Sequence, residues 1–334
     1  MEYDALRAFV AEKGWPAFRA DQIFAWCAKG VAIDEMTNLS KDIRATLAKL
    51  GTGGVVVEER RKSADGSEKV LFRLEDGNAV EGVLMKYRYG ASLCVSTQAG
   101  CRMGCVFCAS GEGGLARNLT AGEMAGEAYA VTRLFGDRPF NHMVLMGCGE
   151  PLDNLENVLR FLRIVTHEKG ANLSMRNISL STCGLVPEMD VLAAQNLPLT
   201  LCVSLHASDD QTRRKLMPIA NRYSIAEVMD AARRYENATG RRIVFEYILI
   251  RDVNDSALAA RRLCEITRGM RKHINLIPLN QALGELKPPE EAATRRFMQI
   301  LAENGVSATV RRRLGADIAG ACGQLRLHRN GQDG

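Results

Sequence analysis

From about residue 92 the chain alternates two hydrophobic patterns. Short, nearly continuous apolar runs (SLCVSTQ, HMVLMG, NISLSTC, LTLCVSLH, RIVFEYILI and HINLIPL) are separated by amphipathic stretches. The latter include TAGEMAGEAYAVTRLF, NLENVLRFLRIVTHEKG and SIAEVMDAARRYENATG, and PEEAATRRFMQILAENG precedes the tail. A strand without polar alternation needs cover on both faces, which a parallel sheet with outer helices supplies. The fold class expected is therefore α/β. Six such units fit a partial (β/α)6 barrel better than a complete eightfold one. In that architecture chemistry gathers at the C-terminal ends of the strands.

The chain upstream has other periods. DQIFAWCAKG sets Ile23, Phe24 and Cys27 at helical spacing, and SKDIRATLAKLG offers Ser40 as N-cap and Gly51 as stop. Residues 55–98 are then rich in β-branched side chains and broken by Asp65-Gly66 and Asp76-Gly77, which are hairpin signals. The expected organisation is a helical module over 1–50, an antiparallel extension over 51–91, the barrel over 92–315 and a C-terminal segment over 316–334.

No run of about 18 apolar residues is present, so no membrane-spanning helix is expected. The N-terminus lacks the layout of a secretion signal, and a cytoplasmic location without a membrane partner is expected. Ten cysteines in that setting argue against a disulfide framework and for metal binding or catalysis. A formal net charge of +5 permits nucleic-acid binding without requiring it.

CRMGCVFCAS carries Cys101, Cys105 and Cys108, with Gly100 and Gly104 favouring a loop just after the first barrel strand. A loop can aim three thiolates inward, and thiolates favour zinc or iron–sulfur. Structural zinc wants a fourth ligand. A [4Fe–4S] cube held by three cysteines leaves one iron open to a substrate. A zinc loop borrowing a distant ligand stays open on the spacing alone.

The C-x3-C-x2-C spacing, with Phe107 before the third cysteine, resembles the radical S-adenosylmethionine superfamily. There the open iron chelates S-adenosylmethionine, and an electron from the cluster releases a 5′-deoxyadenosyl radical. MGCGEP, after the second barrel strand, is similar to the superfamily turn that receives the cofactor's ammonium, with Glu150 supplying charge. DGNAVEGVLM, SLCVSTQAGCRMGCVFCAS, GGLARNLTAGE, SLHA, FEY and DIAGACGQL keep the order and spacing of the RlmN/Cfr RNA methyltransferases over residues 60–327.

That resemblance implies methylation of an adenine ring carbon, C2 or C8, in 23S ribosomal RNA. For the C2 kind it also implies tRNA beside the anticodon. Such carbons have no lone pair to attack a sulfonium, so polar transfer fails and a cofactor-borne radical is needed. Two S-adenosylmethionines per turnover and an external electron donor, such as a flavodoxin-type protein, are implied. By the same resemblance Cys322 takes a methyl group from the first. The radical formed from the second removes hydrogen from that methyl, and the resulting carbon radical adds to the base. Glu81 removes the ring proton. Cys94 attacks the Cys322 sulfur, and the transient disulfide releases the RNA.

Cofactor contacts carried over are Gly149, Glu150, Ser181, Ser204, Leu205, His206 and Asn280. Gln281 stands where the family has proline. Cys27, Cys148, Cys183, Cys202 and Cys264 read as small buried hydrophobes. Arg60, Arg61, Lys62, Arg117 and Arg311–Arg313 are candidate RNA phosphate contacts. The target base must turn out of its stack to react.

Overall fold

The computed structural model describes residues 1–50, 54–280, 285–312 and 314–320. Three helices open the chain: α1 (Tyr3–Glu12), α2 (Phe18–Ala28) and α3 (Lys41–Ala48). The Ser40 hydroxyl accepts from the Ile43 N–H and starts α3, as the cap signal predicts. The expected stop, Gly51, lies outside the described residues. The helices bury Leu6, Val10, Ile23, Phe24, Ile43 and Leu47 in the main core. At Gly30 a Cβ would fall 2.1 Å from the Tyr129 carbonyl, so glycine lets α2 close onto the barrel's first helix.

Strands β1 (Val56–Lys62), β2 (Glu68–Arg73), β3 (Ala79–Tyr87) and β4 (Gly90–Val95) form an antiparallel meander. Its first two turns fall at the predicted Asp-Gly pairs. The Asp65 and Asp76 carboxylates accept from the N–H groups of Ser67 and Asn78. The register sets Glu81 opposite Leu71 and Cys94 opposite Val83.

A small antiparallel ribbon follows, β5 (Gln98–Gly100) with β6 (Leu115–Asn118). Then helix and strand alternate through α4 (Ala121–Phe135), β7 (His142–Leu145), α5 (Leu155–Thr166), β8 (Ile178–Thr182) and α6 (Val186–Ala194). They continue through β9 (Thr200–Ser204), α7 (Asp210–Leu216), α8 (Ile225–Thr239), β10 (Ile243–Leu249), α9 (Ala257–Ile266), β11 (Lys272–Pro278), α10 (Glu291–Glu303) and β12 (Ala308–Val310). The ten-stranded sheet runs β1-β2-β3-β4-β7-β8-β9-β10-β11-β12, parallel from β4 onward. β1 and β12 share no ladder, so the sheet is open. The fold is an open partial (β/α) barrel with all six predicted strands and the predicted extension.

Two local differences stand out. SLCVSTQ breaks into β4 and β5, because the Ser96 N–H turns to Glu127 while the Thr97 and Gln98 N–H groups turn to the Cys148 carbonyl. ATV, read as tail, adds a seventh parallel strand on β11. The helices close over the sheet with side chains such as Met124, Phe161, Tyr235 and Phe297, all fully buried. Truncating one of these aromatics to alanine costs about 3–5 kcal/mol. Among the described residues no helix is long and apolar enough to cross a membrane.

Candidate active site

A cavity of about 290 Å³ opens at the C-terminal ends of the parallel strands. All three loop cysteines line it, together with Gly149, Glu150, Ser181, Ser204, His206 and Asn280. Its size and mixed lining suit a small polar ligand.

The cysteine loop is held at both ends. Gly100 has φ +85, and a Cβ there would fall 1.9 Å from the Gly114 carbonyl. The Cys101 N–H bonds that carbonyl at 3.0 Å, and the Val106 N–H bonds Leu216 of α7 at 3.0 Å. Phe107 presents its edge to His206, centroids 4.8 Å apart. Burial pushes the Cys101 thiol up to about 12 and the Cys105 thiol higher still. Thiolates become favourable there once a cation offsets the lost hydration.

The MGCGEP turn packs on the β4–β5 junction. Gly149 has φ +109, and a Cβ would fall 2.6 Å from the Gln98 Cβ. Gln98 in turn accepts from the Glu150 N–H at 2.8 Å. The Glu150 carboxylate is buried and accepts from the N–H groups of Leu152 (3.0 Å) and Cys183 (2.8 Å). It ties the β7 turn to the end of β8. Burial raises its pKa against those two bonds.

On the next strand ends the Ser181 and Ser204 hydroxyls lie 3.4 Å apart. His206 has φ +58, and its Nδ1 accepts from the Ile248 N–H at 3.0 Å. Burial, and then the Arg213 charge, lower its pKa to about 3, so the ring is neutral. The Leu205 side chain does not line the cavity: it is fully buried, and its N–H and C=O are bonded to Glu246 and Arg213.

Glu81 and Cys94 sit on β3 and β4, both buried. Lys69 Nζ lies 2.6 Å from the Glu81 carboxylate, and Cys94 packs with Val83, Met85 and Leu314. Ala319 reaches the cavity wall. Cys322, Gln281 and Arg313 lie outside the described residues. Cys148, Cys183, Cys202 and Cys264 are buried as expected, and Cys27 is half-buried.

Four residues escaped the sequence reading. Arg213 reads as a solvated helix charge but is fully buried, donating to carbonyls of Leu205, Tyr223, Cys183 and Ser204. Lys69 carried no local signal at all. Gln98, in the apparent strand, orients the Glu150 backbone. Glu246 interrupts the apolar run RIVFEYILI, a signal that could have been used. Its carboxylate lines the cavity, accepts from Asn275 and lies 3.7 Å from Arg311. Arg311 therefore faces the cavity rather than an outer RNA surface. Arg117 is held between Asp76 and Glu123, and Arg60 and Arg61 pair with Glu68 and Glu59.

A family profile described as "Radical SAM superfamily" matches residues 95–263, and another, "Ribosomal RNA large subunit methyltransferase N-terminal domain", matches residues 1–52. A relative from Clostridium acetobutylicum, named "Probable dual-specificity RNA methyltransferase RlmN", is 47% identical over 96% of this chain and 94% of its own length. A relative of the same name from Desulforamulus reducens is 50% identical over 96% and 93%. This chain belongs to the RlmN family of radical S-adenosylmethionine RNA methyltransferases. A crystal structure of a radical SAM methyltransferase from Sphaerobacter thermophilus superposes with a TM-score of 0.93 at 44% identity, covering 97% of both chains.

As an RlmN-family enzyme the chain uses S-adenosylmethionine and a [4Fe–4S] cluster, and RNA such as ribosomal RNA is its substrate class. The residues present fit the cluster. Three thiols without histidine or carboxylate are a soft donor set. Among the described residues no three His, Cys, Asp or Glu side chains form a group suited to one metal ion. A cube takes one thiolate on each of three irons, so its ligands need not share one ion. The all-thiol donor set and the radical SAM match favour the cluster over the zinc loop.

Proposed function

We propose that the enzyme methylates C2 of an adenosine in 23S ribosomal RNA, and C2 of the adenosine 3′ of the tRNA anticodon. Cys101, Cys105 and Cys108 hold the cluster. Gly149, Glu150, Ser181, Ser204, His206 and Asn280 surround S-adenosylmethionine, and Leu205 packs beneath them. When bound, the cluster supplies the electron that turns S-adenosylmethionine into a hydrogen-abstracting radical source. A flavodoxin-type protein delivers that electron.

The chain's own residues do the rest. The Cys322 thiolate attacks the methyl carbon of a first S-adenosylmethionine, S-adenosylhomocysteine leaves with the electron pair of the broken bond, and Cys322 becomes S-methylcysteine. A second is consumed when hydrogen is removed from that methyl. Once its carbon is joined to the adenine, the adduct would return its unpaired electron to the cluster, and Glu81 takes the ring proton. The Cys94 thiolate then attacks the Cys322 sulfur, the sulfur–carbon link breaks with its electron pair left on the carbon, that carbon takes up a proton to become the methyl, and methylated RNA leaves as the disulfide forms. The module over 1–50 guides RNA, a role in keeping with the profile matching residues 1–52.

One observation carries most weight. At Gly320 a Cβ would fall 3.5 Å from Val83, which lies opposite Cys94 in the β3–β4 ladder. Two further residues span at most about 7 Å. A disulfide needs Cα atoms about 4.4–6.8 Å apart. The approach of the chain is thus compatible with Cys322 reaching Cys94.

Nucleoside mass spectrometry tests the reading. The iron-reconstituted enzyme is incubated without oxygen with S-adenosylmethionine, a reductant and unmodified 23S ribosomal RNA or tRNA. 2-Methyladenosine is expected. 8-Methyladenosine would replace the reading by the Cfr-type C8 reaction, which uses the same residues.

A further inference from the structure

We propose that Lys69 and the β1–β2 turn form a clasp that positions the Cys322-bearing segment against Glu81. The proposal rests on the roles just given to Cys322 and Glu81. It assigns a function to residues that those roles leave unused.

Residues 314–320 pair with no strand and contain only one short helical turn, Ala316–Ile318. A chain end of this kind frays unless tied down. Here it is tied at several points to residues about 250 positions earlier. The Asp317 carboxylate accepts from the Ser63 hydroxyl at 2.5 Å and from the Ala64 N–H at 3.0 Å. The Asp65 carboxylate accepts from the Gly315 N–H at 2.7 Å. Leu314 packs beside Cys94 on the small Val83–Met85 cluster.

The turn is itself built to offer these groups. Ser63 N–H bonds the Ser67 carbonyl at 2.8 Å, and Asp65 accepts from the Ser67 N–H at 2.8 Å with its other oxygen. The segment is folded to receive them, because the Gly320 N–H closes back on the Gly315 carbonyl at 2.8 Å.

Lys69 joins this clasp to the proposed base. Its ammonium lies 2.6 Å from Glu81 Oε1 and donates to the Ala319 carbonyl at 3.3 Å. Both side chains are buried, at 10% and 4% exposure, so water competes little for the Lys69–Glu81 contact. An ammonium has three donors and can serve both acceptors at once. One group therefore touches the residue that takes the proton and the segment three positions before the methyl carrier. Neutralising a buried carboxylate would need only the first contact. The second contact, and the clasp beside it, fix where the segment lies.

Lys69 is thus a positioning residue, and its test must read position as well as turnover. Amide hydrogen exchange is measured over Gly315–Gly320 in the full-length, cluster-reconstituted enzyme. Asp317→Ala and Lys69→Met should each speed exchange there about tenfold, and Lys69→Arg less. In a Cys94→Ala background the same changes should lower the yield of covalent protein–RNA adduct several-fold in a single turnover. Iron content and methyl loading of Cys322, read by intact mass, should persist. Unchanged exchange in both variants would overturn the clasp. Faster exchange with an unchanged adduct yield would overturn its positioning role. If Cys94→Ala alone forms no adduct, the reading of Cys322 fails, and exchange still decides whether the clasp exists. Should Lys69→Met fail to fold, Asp317→Ala, at the exposed side of the clasp, carries the test.

Discussion

In the barrel, Arg213, Glu150 and His206 are buried with no ion pair among the described residues, each satisfied by backbone groups. In the antiparallel extension, Lys69 and Glu81 are buried as a pair. Backbone partners cannot leave, so these three groups fix strand ends and a rigid mouth for the cofactor; Glu246, 3.7 Å from Arg311, is the barrel's exception. An ion pair can exchange partners, as the proton acceptor proposed at Glu81 requires. On the proposed reading, two regions of one sheet use buried charge for two purposes: the barrel holds a cofactor, and the extension handles the chain's own covalent chemistry.

The sharpest way to separate the two is Cys322→Ala. RNA methylation should fall below detection by nucleoside mass spectrometry, while iron content and the visible absorption of the cluster stay at parent level. A joint loss would mean that the regions are not independent. Arg213→Met attacks the barrel instead. It leaves four carbonyls without their donor, and an unfolding loss of about 3 kcal/mol or more is expected by denaturant titration. A near-neutral result would show that the fixed charge beneath the mouth is dispensable.

His206→Asn probes the same rigidity through pH. The folded imidazole is lowered to about 3, whereas an unfolded one titrates near 6.5. Its contribution is therefore full above about 6.5 and is lost as pH falls from there toward about 3. Wild type should lose about 2 kcal/mol between pH 8 and pH 5 from this group alone. Asparagine can still accept from the Ile248 N–H, and melting curves of the variant should lack that slope. Glu127 gives the smallest effect with the opposite sign. Burial raises its pKa well above the ordinary value, so its cost appears as pH rises past the carboxylate range. Glu127→Gln should stabilise the protein at pH 8 by about 1 kcal/mol, and little at pH 5.

Much of the barrel was legible because an apolar run followed by an amphipathic stretch admits few other folds. The cysteine loop was legible because ligand spacing is local. The break after Val95 was not, since it depends on Glu127, a residue of α4 whose burial no local pattern announces. Arg213 was missed for a related reason: DQTRRKL looks solvated, and only the neighbouring strand ends supply its carbonyls. The clasp joins residues about 250 positions apart, and no periodicity connects Asp317 with Ser63. Glu246 was readable and overlooked, as a single carboxylate within an apolar strand.

The division of labour is tested most directly by peptide mass spectrometry on Cys94→Ala after reaction with RNA. The account predicts RNA joined through one carbon to the peptide that contains Cys322, with little free product. Normal turnover to methylated RNA without an adduct would contradict it, because neither Cys322 as carrier nor Cys94 as its release would then be needed.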